Sequence, residues 1–204
     1  MPNITSPFTI NMGKDAFKFV AKEVGSHNNY TTVDGIQRTA RHAIKTHDIA
    51  TCTGLNLNTE RNANKMFHLA PEFEIHQSYN FLRKFLETEI GKLQEEFGKV
   101  RAFIYGGVEF GSHPRNKESF NLYNNIADCL EDLDIPFSML CGKKAGVNSL
   151  DNMFAVNNKL TIWNDAFEEL GKNIEKISNS DKLEFLKSKF QFVETMSDDF
   201  FNIM

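Results

Sequence analysis

Residues 100–141 constrain the fold most. Residues 100–105 (VRAFIY) form a largely apolar run of strand length, cut by Gly106 and Gly107. Residues 119–133 follow, with Phe120, Tyr123, Ala127, Leu130 and Leu133 recurring at helical spacing. Residues 135–141 are a second run of buried-strand type. Strand, helix and strand in that order make a βαβ unit, whose two strands should lie parallel with a right-handed connection. The expected fold class is therefore α/β, a layered sandwich with a mixed sheet flanked by helices.

The rest of the chain can be read around that unit. Residues 14–24 carry Phe17, Val20 and Val24 at helical spacing before Gly25, so one N-terminal helix is expected. Weak strand character appears at 46–50. Residues 52–58 (CTGLNLN) alternate with period two, the pattern of a half-buried strand, and 65–70 (KMFHLA) read as a second short strand after a polar turn at 59–64. Tyr79, Leu82, Leu86, Ile90, Leu93 and Phe97 form one stripe of a helix over 77–97. Residues 153–156 and 159–163 flank Asn157-Asn158, a plausible tight hairpin. From 164 onward the spacing of Phe167, Leu170 and Ile174, then Leu183, Leu186, Phe190 and Val193, is helical, with Ser180 as a candidate N-cap. The expected organisation is an N-terminal segment at 1–35, a domain at 36–164, and a C-terminal helical extension at 165–204 packed on that domain.

Charge and cysteine usage limit the function classes. The net charge of −4 over 204 residues argues against a non-specific nucleic-acid binder, which carries a basic face. Three cysteines, Cys52, Cys129 and Cys141, are too few and too odd for a disulfide framework, so a reducing, cytoplasmic setting is expected. No basic-then-apolar leader is visible, and no stretch approaches 18 uncharged apolar residues, so no membrane insertion is expected.

The two short strands carry the chemistry. If they pair as a hairpin centred near Glu60, Cys52 faces His68 and Thr53 faces Phe67. Thr53, Leu55, Leu57, Phe67 and Leu69 then share one apolar face, and Cys52, Gly54, Asn56, Met66 and His68 share the other. Facing Cβ atoms lie about 4.5–5.5 Å apart, close enough for a thiol–imidazole contact, although a one-residue slip would break it. Such an imidazole lowers the thiol pKa or takes its proton, and the thiolate can attack a carboxamide carbon. The same histidine can then protonate departing ammonia, with a third group orienting the ring. The competing reading is a small buried cysteine with no chemistry.

At these residues the sequence resembles the CheD family of chemoreceptor glutamine deamidases, which share a fold and a Cys–His site with cytotoxic necrotizing factor toxins. The family has a strand bearing a threonine, a turn ending in cysteine six residues later, and a strand ending in histidine with a trailing Leu-Pro. Here residues 45–71 read KTHDIATCTGLNLNTERNANKMFHLAP, with Thr46 six residues before Cys52 and His68 sixteen after it. AFIYGGVEF at 102–110, IPFSMLCG at 135–142 and NNKLTI at 157–162 are similar to later family segments, in the same order. The resemblance covers roughly 36–164. It implies Cys52 as nucleophile, His68 as general base and acid, and Thr46 as the group orienting the imidazole. It also implies substrate contacts at Gly106, Gly107 and Thr51, no cofactor and no metal. The sequence departs from the family pattern at three places, one being the helical tail from 165, which has no family counterpart. Gly-Ser before the cysteine is Ala50-Thr51, and the family's arginine near the last strands is absent, with Lys143 and Lys144 in its place.

The expected function is thus hydrolysis of a glutamine side-chain amide in a protein substrate through a thioester, with transglutamination as a side activity. The helical extension and altered loops would suit a toxin-like effector translocated into a host cell. The alternative is a non-catalytic binding module that docks a signalling protein. Two lesser options concern the same region. HLAPEFEIH at 68–76 offers His68, Glu72, Glu74 and His76 as metal-ligand types, and Asp48 is a rival for orienting His68.

Overall fold

The computed structural model describes residues 9–11, 21–24, 36–37, 43–72, 78–111, 114–144, 151–156, 159–163 and 178–194. Among them are eleven strands and three helices. In chain order these are β1 (Thr9–Asn11), β2 (Ala21–Val24), β3 (Ile36–Gln37), β4 (Ala43–Ile49), β5 (Thr53–Thr59), β6 (Asn64–Leu69), α1 (Tyr79–Phe97), β7 (Val100–Val108), α2 (Pro114–Asp132), β8 (Phe137–Lys143), β9 (Asp151–Val156), β10 (Lys159–Trp163), α3 (Asn179–Lys189) and β11 (Phe190–Glu194). The fold is layered α/β, with two mixed sheets and flanking helices. A five-stranded sheet runs β1-β10-β9-β4-β2 and a six-stranded sheet runs β11-β8-β7-β5-β6-β3.

The βαβ unit at 100–143 organises the larger sheet. β7 and β8 pair in parallel, with Ala102 opposite Phe137 and Tyr105 opposite Leu140. α2 crosses between them, as a parallel connection requires. The period-two pattern then sorts side chains into two layers. Ala102, Ile104, Leu55, Leu57, Phe67 and Leu69 face the helices, packing on Leu82, Leu86 and Ile90 of α1 and Leu122, Ile126 and Leu130 of α2. Phe103, Tyr105, Met66 and Leu140 face the smaller sheet, against Ile44, Met153, Ala155, Leu160 and Ile162. The six-stranded sheet is therefore the middle layer of three.

Helix ends follow their local chemistry. Ser78 caps α1 by accepting the Phe81 N–H, and Gly98, at φ +82°, closes its C-terminus. Ser178 caps α3, not Ser180, which lies inside the helix. The stripe through Leu183, Leu186, Phe190 and Val193 is helical only as far as Lys189. Phe190–Glu194 is instead a strand that extends the six-stranded sheet, with Phe192 opposite Cys141. Of the expected N-terminal helix over 14–24, residues 14–20 lie outside the described residues, and 21–24 is corrected: Ala21–Val24 is a strand lying parallel to Ala43–Thr46. Pairing to a sheet edge overrides the local 3.6-residue spacing there. The expected helix at Phe167, Leu170 and Ile174 lies outside the described residues. The hairpin at 151–163 forms as expected, with Ala155 opposite Leu160.

Candidate functional site

β5 and β6 form the expected antiparallel hairpin, but in a different register. Gly54, not Cys52, is the partner of His68, and Thr53 is opposite Leu69, not Phe67. The hairpin centres on Arg61, one residue beyond Glu60, so each partner moves by two; Thr59 N–H and Thr59 Oγ1 on the Ala63 carbonyl hold the turn. The offset keeps every side chain on its expected face, because the face repeats every two residues. Cys52 stands just before β5, diagonal to His68, a relation that spans about 7–8 Å between Cα atoms in a regular sheet. Its side chain packs against the cluster between the two sheets, on the side that His68 faces.

The imidazole is held from the opposite sheet. Thr46 Oγ1 of β4 lies 2.8 Å from His68 Nδ1, and both side chains are buried. Ordinary alternation along β4 places Thr46 there, and a bulge follows it. Ile44 and Thr46 point inward, so strict alternation would bury residue 48 next. Between Thr46 and Ile49 the pairing with β9 shifts and Asp48 adopts φ +61°, a left-handed conformation that Asp tolerates. Asp48 is thereby exposed and Ile49 returns to the interior, so Asp48 is not the residue that orients His68. His47, on the other face of β4, contacts Asn152 Oδ1 through Nδ1 at 2.9 Å.

The segment from Ile49 to Cys52 is gripped by its carbonyls. Lys143 Nζ donates to Ile49 O at 2.8 Å, Ser119 Oγ to Thr51 O at 2.6 Å, and Gly107 N–H to Cys52 O at 2.8 Å. The glycines make this close packing possible. A Cβ at Gly106 would lie 2.8 Å from Cys52 O, and one at Gly107 would lie 2.3 Å from Tyr123 Cδ1. Both have positive φ, as does Gly142. Their close approach is to the Cys52 main chain and the Tyr123 ring. Thr51, half-buried, meets Ser119 through its carbonyl.

Lys143 and Asp151 form a buried ion pair beside this segment, 2.9 Å apart. Cys141 belongs to the helix-facing cluster, so Lys143, two residues on, should face the helices too. Positive φ at Gly142 breaks the alternation, and Lys143 reaches the smaller sheet instead. Ser119, Lys143 and Asp151 were not singled out from sequence as parts of the site. Nothing local marks them, since their contacts join residues far apart in the chain.

The cysteines differ in environment. Cys52 is half-exposed, while Cys129 and Cys141 are buried. Burial pushes the Cys129 thiol up to about 11 and the Cys141 thiol higher still. Of the candidate ligand run at 68–76, residues 73–76 lie outside the described residues, and no group of three metal-ligating side chains occurs among the described ones. Within the described residues, no helix is long and apolar enough to cross a membrane.

No family model matches the chain, and no curated protein matches it. Among solved structures, it is similar to the Neisseria meningitidis protein NMB0706, described by the family model DUF152, at 10% identity and a TM-score of 0.43. That match spans 64% of this chain and 66% of the neighbour.

Proposed function

We propose that the chain is a cysteine-dependent amidase that hydrolyses a glutamine side-chain amide in a protein substrate, as the resemblance to the CheD deamidases implies. One observation carries the reading: the buried 2.8 Å contact between Thr46 Oγ1 and His68 Nδ1. A histidine fixed through Nδ1 turns Nε2 toward its work. Nε2 takes the Cys52 proton, and the thiolate attacks the carboxamide carbon. The C–N bond breaks as the imidazolium protonates the leaving ammonia, giving a thioester. Water then attacks the thioester, returning the thiol and leaving a glutamate side chain. An amine in place of water gives transglutamination. Action as a translocated effector belongs to the same proposal and has only the altered loops in its support.

A second reading, a non-catalytic scaffold that docks a signalling protein, has one observation in its favour. His68 is only 1% exposed, so a substrate amide must enter a nearly closed layer. Alkylation by iodoacetamide across pH separates the two. The amidase reading expects Cys52 to react below pH 7 far faster than an ordinary thiol, which has a pKa of about 8.5. Cys129 and Cys141, buried and with raised thiol pKa, give a low background. A mass gain of about one dalton in a protein substrate, lost in Cys52→Ala, identifies deamidation. Ordinary reactivity at Cys52 would leave the scaffold reading standing.

A further inference from the structure

We infer that Ser119 is a positioning residue of this site: its hydroxyl turns the Thr51–Cys52 peptide so that the Cys52 N–H faces the oxyanion of the tetrahedral intermediate. The inference rests on the amidase reading and deepens it.

The direction of the Ser119 hydrogen bond is determined by its neighbours. Val108 N–H donates to Ser119 Oγ at 2.9 Å, which occupies an acceptor site on that oxygen. The single hydroxyl proton goes to Thr51 O, 2.6 Å away. In a trans peptide the C=O of one residue and the N–H of the next point in opposite directions, and the described residues contain no cis peptide. Ser119 projects from α2, in the helix layer. The Cys52 N–H therefore points away from the helices, toward the layer between the sheets. The Cys52 side chain packs on that layer, and His68 meets Thr46 within it.

A grip on the Thr51 carbonyl fixes the direction of the Cys52 N–H. Attack by the thiolate forms the S–C bond and moves the carbonyl π pair onto oxygen. A backbone N–H already aimed at that oxygen stabilises the charge without reorganising. When the intermediate collapses, that electron pair re-forms the C=O bond and ammonia leaves with the proton from His68. Ser119 touches none of the reacting atoms. It acts through the peptide plane alone.

Two probes on the full chain separate this role from the amidase reading and from simple folding. Iodoacetamide alkylates by displacement at a saturated carbon and generates no oxyanion. Butyraldehyde forms a thiohemiacetal whose oxygen sits where the oxyanion would, and its affinity is read as protection of the Cys52 peptide from alkylation. Ser119→Ala should leave the alkylation rate within about twofold of native and weaken aldehyde binding about tenfold, less than the roughly 100- to 1000-fold expected for losing an oxyanion donor outright. Ser119→Thr, which keeps the hydroxyl, should restore aldehyde binding. If Ser119→Ala is too unstable to assay, Ser119→Cys, with its weaker donor, should give an intermediate loss. Equal changes with both probes, or no change with the aldehyde, would overturn the role of Ser119. Ordinary thiol reactivity at Cys52 in the native protein would remove the amidase premise, and this inference with it.

Discussion

The two faces of β5 are both fully buried, yet they are built from opposite kinds of side chain. Toward the helices it presents Leu55 and Leu57, packed with Phe67 and Leu69. Toward the other sheet it presents Gly54, Asn56 and Asn58. The asparagines bond among themselves and their neighbours: Asn56 Nδ2 and Asn58 Nδ2 donate to Asn64 Oδ1, and Arg101 Nε donates to Asn58 Oδ1. Burial lowers the Arg101 pKa to about 10, so it remains protonated at neutral pH. An alternating strand is usually polar toward water. Here the polar side faces a second sheet. Enclosed polar groups demand partners, and that demand lets Thr46 fix His68 from across the layer. The helix side serves stability, while the sheet side holds the proposed site.

Three substitutions sharpen this contrast. Phe67→Ala, on the helix side, should have the largest effect on stability, about 3–5 kcal/mol from lost burial and the cavity left behind. Urea unfolding measures it, and the alkylation rate of Cys52 in the still-folded protein should not move. Thr46→Val, on the sheet side, keeps shape and removes the hydroxyl. It should cost about 1–3 kcal/mol, because the imidazole loses a buried partner. It should also slow Cys52 alkylation at pH 6–7 about tenfold. If Phe67→Ala slows the thiol and Thr46→Val does not, the division between the faces is wrong.

The smallest effect is a titration on the helix side. Lys65 of β6 is paired with Glu89 of α1. Burial alone would raise the Glu89 carboxyl, but the bonds from Lys65 and Lys92 outweigh it and hold the carboxyl below its ordinary range. With a depressed folded-state pKa, the stabilisation is complete above the unfolded value of about 4.3 and fades as pH falls through the folded value. Glu89→Gln should therefore be less stable than native at pH 6–7, with the gap closing toward pH 3. Urea midpoints across that range test it, and a gap independent of pH would contradict the assignment.

How much of this was legible from sequence depends on the range of the contact involved. The βαβ unit, the helix stripe from Leu82 to Phe97 and the hairpin at 151–163 are local periodicities, and all three appear. The face assignment of β5 and β6 survived a wrong register because parity is more robust than pairing. The strand at Ala21–Val24 was hidden because Phe17, Val20 and Val24 satisfy a helical spacing equally well. Phe190–Glu194 was hidden because Leu183, Leu186 and Phe190 continue one stripe into it. In the candidate site, Thr46 was singled out only through the family resemblance. Ser119 and Lys143 had no signal, since they reach Thr51 and Ile49 across 68 and 94 residues of chain.

The Lys143–Asp151 pair has a mechanical consequence. Lys143 belongs to the six-stranded sheet and Asp151 to the five-stranded one, with side chains 2% and 0% exposed. Sliding one sheet over the other by a single residue, about 3.3 Å, would leave both charges buried without their partner. Removing one partner of such a pair costs about 3–5 kcal/mol. The sandwich therefore resists sliding of one sheet over the other. Under the amidase proposal, a substrate arriving at the Cys52 edge would meet a rigid jaw, and would have to bring its own flexibility.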